Sequence, residues 1–88
     1  MTTATAGTLE SMDCLVTATR GEAGSGISIE LEGSSAARFR TAMEKTLRDT
    51  AAALQETDLI ISVNDHGALD VVLAARTETA IRRLRGER

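Results

Sequence analysis

Few side chains in this sequence can do chemistry. There is one cysteine (Cys14), one histidine (His66), two aspartates close to that histidine (Asp65 and Asp70), and a set of hydroxyls near the start. Cys14 could serve as a nucleophile, but no base or clustered positive charge stands beside it to lower its pKa, so it reads as a small buried strand residue. His66 has the side chain best suited to move a proton near neutral pH, yet Asp65-His66-Gly67 is already explained as turn chemistry. Asp65 and Asp70 are paired only in number, because a separation of this kind across a turn does not aim two carboxylates at one bond, and no second cluster supplies metal ligands. The glycines from Gly21 to Gly26 lack both the spacing of a dinucleotide fingerprint and a following Gly-Lys-Ser/Thr, so they do not cradle phosphate. Arg82, Arg83 and Arg85 read as a solvated helix end. Ser11 is the exception. It closes the phrase Ala6-Gly7-Thr8-Leu9-Glu10-Ser11 immediately before a strand, and a second phrase, Asn64-Asp65-His66-Gly67-Ala68-Leu69-Asp70, lies in the other half of the chain.

Composition restricts what can position these groups. The 88 residues carry 10 Lys+Arg against 13 Asp+Glu, a net charge of -3, which argues against binding nucleic acid through its phosphates. Apolar runs fall well short of the roughly 20 residues that cross a bilayer. Met1 to Gly7 has neither the basic start nor the apolar core of a secretory signal. A lone cysteine can neither close an internal disulfide nor fill a zinc site, so a cytoplasmic setting is expected. Much of the 42% hydrophobic content is alanine, Phe39 is the only aromatic, and Trp, Tyr and Pro are absent. Such a chain builds a thin core and has little material for a catalytic pocket.

The pattern predicts a small two-layer α+β domain in the order β-β-α-β-α. Residues 1–8 lack periodicity and large side chains, and are expected to form a flexible N-terminal arm ahead of a single domain at 9–88. From Met12 to Thr19 apolar residues alternate, and Ile27, Ile29 and Leu31 alternate with Ser28, Glu30 and Glu32; an antiparallel hairpin is the expected unit. Ser34 or Ser35 can cap a helix running from Ala36 to about Glu56, with Phe39, Met43, Leu47, Ala51 and Leu54 on its apolar face. Leu59 to Val63 reads as one further strand, buried on both faces. Residues 69–75 fit either a strand or a helix locally. Persistence of the pattern to Leu84, the basic last turn and Gly86 decide for a helix, so that two helices pack on the sheet.

The two phrases resemble the acyl carrier (gamma) subunit of citrate lyase, and the likeness runs from about Ala6 to Leu84. The resemblance implies that Ser11, the serine of Gly7-Thr8-Leu9-Glu10-Ser11, carries a covalent group. In that family the group is 2'-(5''-triphosphoribosyl)-3'-dephospho-coenzyme A, joined to the hydroxyl by a phosphodiester. Its thiol holds the acetyl or citryl thioester while citrate is cleaved to acetate and oxaloacetate. The implied partners are the citrate lyase alpha (transferase) and beta (lyase) subunits and the enzyme that attaches the group. Catalysis belongs to those subunits, with no membrane or nucleic acid involved, and the carrier itself is not an enzyme.

Charge suggests how such a carrier docks. Through Ser35 only Arg20 opposes Glu10, Asp13, Glu22, Glu30 and Glu32, and Glu10 and Asp13 are the carboxylates expected to orient Ser11 on basic partner surfaces. Two other readings compete. The carrier of malonate decarboxylase uses the same type of group, but its serine sits in a Gly-Ser-Gly-like setting unlike Glu10-Ser11-Met12. A cofactor-free α+β interaction module would make Ser11 an ordinary hydroxyl.

Overall fold

Residues 14–20 and 59–65 form the centre of a four-stranded sheet, seen in a computed structural model that describes residues 2–87. The elements in chain order are β1 (Thr3–Gly7), β2 (Cys14–Arg20), β3 (Ile27–Gly33), α1 (Ala36–Ala53), β4 (Leu59–Asp65) and α2 (Asp70–Leu84). The sheet order is β1-β2-β4-β3. β2 pairs antiparallel with both β1 and β4, and β3 runs parallel to β4. The two-layer α+β architecture is therefore as expected, with both helices on one face of the sheet.

The expected flexible arm is corrected. Residues 3–7 are an edge strand, with Ala4 and Ala6 buried and Thr3 and Thr5 facing out. Small side chains concealed the alternation, but they let the strand lie close beneath α2, where Arg83 donates to the Thr5 carbonyl at 2.9 Å. Met1 of the expected arm and Arg88 of the expected domain lie outside the described residues. The hairpin is also differently composed. β2 turns back on β1 rather than on β3, and β4 is inserted between β2 and β3. The helix α1 supplies the crossover that a parallel β3–β4 pair requires.

Further departures have separate causes: the sheet has only one covered face, and the apolar stripe of α1 breaks its phase. β4 alternates, with Leu59, Ile61, Val63 and Asp65 buried and Ile60 37% exposed, so it is not buried on both faces. Phe39 is 50% exposed, because the backbone leaves helical geometry at that residue (φ -119°, ψ 22°) and the phase of the apolar stripe breaks there. Leu69, 60% exposed, precedes α2 and does not join its buried face of Leu73, Thr77, Ala80, Ile81 and Leu84. Residues 70–75 are helical, as the longer pattern indicated. Helix α1 ends at Ala53, and α2 closes after its basic last turn, where Gly86 donates its N–H to the Arg83 carbonyl at 3.0 Å.

Candidate functional site: a braced hairpin tip

Residues 8–13 connect β1 to β2, and Ser11 stands exposed near the tip with Leu9, Glu10 and Met12. The loop begins at Gly7, whose φ of +97° suits glycine, and a Cβ there would collide with the Cys14 carbonyl oxygen. Thr8 then donates its N–H to that same carbonyl at 3.2 Å, closing the loop. The Thr8 hydroxyl accepts from Glu10 N–H at 3.1 Å and donates to Asp13 Oδ2 at 2.7 Å.

Asp13 is the post of the loop. Its carboxylate accepts the Cys14 N–H at 2.7 Å and is gripped by Arg76 of α2 through Nε at 3.1 Å and Nη2 at 3.0 Å. These bonds, led by the one from Arg76, hold the Asp13 carboxyl well below the usual carboxylate range. Of the two carboxylates expected to face partners, Glu10 is exposed, whereas the Asp13 side chain is only 14% exposed and engaged by Arg76.

The two sequence phrases meet here. Met12 donates its N–H to the His66 carbonyl at 2.7 Å, and His66 N–H donates to the Asp13 carbonyl at 2.9 Å. The contribution of His66 to this contact is its backbone, while its ring is exposed. Next to it, Asp65 is 1% exposed and accepts N–H groups from Gly67 (3.1 Å), Ala68 (3.0 Å) and Ser35 (3.2 Å). Burial alone would raise its pKa, but these donors outweigh it and the net displacement is downward. The expected serine cap does not form: no Ser35 side-chain cap bond is made, and the Asp65 carboxylate accepts the N–H of Ser35, the residue just before α1.

The remaining candidates take structural roles. Cys14 is fully buried, and its thiol is pushed up to about 11 by burial first and then by the charges of Asp13 and Asp65. Asp70 is exposed and accepts the Thr46 hydroxyl, so it shares no target with buried Asp65. Among the described residues no group of three His, Cys, Asp or Glu side chains could hold a metal, and no helix is long and apolar enough to cross a membrane. Arg76, unmarked in the sequence, is the functional neighbour that reading along the chain misses.

The tip thus presents an exposed Ser11 hydroxyl on a loop tied to the sheet and to α2, close in sequence to the buried Cys14 thiol. A family described as malonate decarboxylase delta subunit (MdcD) matches residues 1–84. The citrate lyase acyl carrier protein of Rhodopseudomonas palustris (strain BisA53) is 42% identical over 80 residues, covering 91% of this chain and 80% of that one. Its counterpart from Haemophilus influenzae (strain PittEE) is 42% identical over 84 residues, covering 96% and 85%. A chain in the crystal structure of a Pseudomonas malonate decarboxylase hetero-tetramer in complex with malonate shares the fold, with a TM-score of 0.67 at 24% identity over 94% of this chain and 84% of that one. The chain belongs to this family of acyl carrier proteins, and it is a non-catalytic carrier subunit.

Proposed function

We propose that the chain is the acyl carrier subunit of a cytoplasmic citrate lyase, and that Ser11 is its attachment residue. The group it would carry is 2'-(5''-triphosphoribosyl)-3'-dephospho-coenzyme A, linked through a phosphodiester. The observation that carries this reading is the exposure of Ser11 on a loop whose two ends are fixed. A phosphodiester placed there stays hydrated, and its base does not wander. The group supplies a thiol on which acyl units are held as thioesters, while the protein supplies attachment and presentation.

The residues divide this work. Gly7, Thr8, Asp13 and Arg76 fix the loop, and Glu10 is the exposed carboxylate left to meet basic surfaces on the attaching enzyme and on the alpha and beta subunits. Tethering then keeps the thiol at a high effective concentration near the partner sites. A second reading, the carrier of a malonate decarboxylase, is favoured by the family description and by the structural neighbour. The citrate lyase assignment rests on the names of the relatives at 36–42% identity and on Glu10-Ser11-Met12.

Reconstitution separates the two. Loaded protein is added to citrate lyase alpha and beta subunits stripped of their own carrier, and in parallel to malonate decarboxylase subunits stripped of theirs. Citrate cleavage restored in the first mixture alone is the expected result. Restored malonate decarboxylation without citrate cleavage would replace this assignment with the second.

A further inference from the structure

Beside the Ser11 loop, an apolar groove opens between the starts of the two helices. Phe39 and Met43 of α1 line it together with Ala68, Leu69 and Leu73, and Asp70 stands at its polar edge. Its volume is about 380 Å³, within the roughly 300–1,000 Å³ typical of small-ligand sites. Phe39 and Leu69 are large apolar side chains left half exposed or more in a domain with little apolar material to spare. The Arg38 guanidinium lies 5.2 Å from the Phe39 ring centroid, which sets a cation next to the aromatic side chain.

The groove adjoins the tether. Gly67 lies on its wall, and a Cβ built there would come within 3.9 Å of Met12 Cα, one residue from Ser11. The Met12 N–H bond to the His66 carbonyl fixes that separation. We infer that this groove is the resting seat of the purine in the nucleotide arm attached to Ser11, held against Phe39 and Leu69. This inference rests on the attachment proposed above. A flat apolar ring matches an exposed aromatic side chain. Because the arm is tethered, even a weak site is filled: effective concentrations of linked ligands reach the millimolar range. Seating the purine leaves the distal end of the arm free to travel.

The test uses the full chain loaded by the attaching enzymes, with methyl-labelled Leu and Met. Intact mass first establishes whether Ser11 bears an adenosine-containing adduct; an unmodified chain, or an adduct without adenosine, overturns the attachment reading and this inference with it. With the adduct in place, nuclear Overhauser contacts are expected from the adenine protons to the Leu69, Leu73 and Met43 methyls. Phe39→Ala and Leu69→Ser should abolish those contacts while the adduct mass and the methyl shifts of buried Leu47 stay the same. A loaded chain whose adenine protons show no protein contacts, with groove methyls shifted no further than those of the apo protein, contradicts the seat while leaving attachment intact.

Discussion

Asp13 and Arg76, 63 positions apart, form a two-pronged ion pair at 3.0 and 3.1 Å that fastens the Ser11 loop to α2. The pair is partly open to solvent, so its worth lies in geometry more than in stability. Arg76→Gln should leave the fold intact and loosen the loop. Amide exchange at Cys14 and Met12 should then speed up by roughly tenfold or more relative to core amides such as Ile61. Unchanged protection at both positions would show that the backbone bonds to His66 hold the loop by themselves.

Acid should weaken the protein through Asp13 and Asp65, both held below their ordinary range. A carboxylate with a depressed folded-state pKa stabilises fully above its unfolded value, near 3.9, and that contribution disappears as pH falls through the folded value. Urea midpoints should therefore be flat above about pH 5 and fall steeply below about pH 4. Asp13→Asn, measured from pH 7 to pH 2, should start lower and fall less steeply. Parallel curves for the two proteins would remove Asp13 from the explanation.

Gly7→Ala brings two penalties together, a φ of +97° and a Cβ driven onto the Cys14 carbonyl. A loss of about 1–3 kcal/mol is expected from chemical denaturation, the range for a residue held in a sparsely populated backbone conformation. The same variant should load more slowly, since the loop that presents Ser11 begins there. Wild-type stability in Gly7→Ala would mean that the hairpin can re-form around an ordinary residue.

Cys14 should be inert while the protein is folded. With its thiol at about 11 and its side chain buried, only roughly a thousandth is thiolate at pH 8, and that fraction is inaccessible to reagent. Alkylation should be undetectable in native buffer and rapid in denaturing urea. Fast labelling of native protein would contradict both its burial and its structural assignment.

What the sequence revealed follows the reach of each signal. Period-2 alternation exposed β2 and β3, and the 3.6-residue period exposed both helices, because these patterns are local. Strand β1 was hidden because Ala4 and Ala6 are too small to register as a buried face, though they are buried. Strand order was beyond local pattern: nothing in residues 27–33 says that β4 will lie between β3 and β2. Phe39 misled because hydrophobicity predicts burial only where the helical phase continues, and it breaks at that residue. Around Ser11 the two phrases were conspicuous as words, but their meeting through Met12 and His66, and the grip of Arg76, exist only in three dimensions.

The proposed tether is Ser11. Its most direct measurement is peptide mapping of protein co-expressed with the prosthetic-group attaching enzymes, beside a Ser11→Ala variant. Because Ser11 is exposed, that variant should keep its stability within about 0.5 kcal/mol. A phosphodiester-linked coenzyme adduct is expected on the peptide containing Ser11, and none on the variant. An adduct on another hydroxyl, or one that persists in Ser11→Ala, would contradict the assignment.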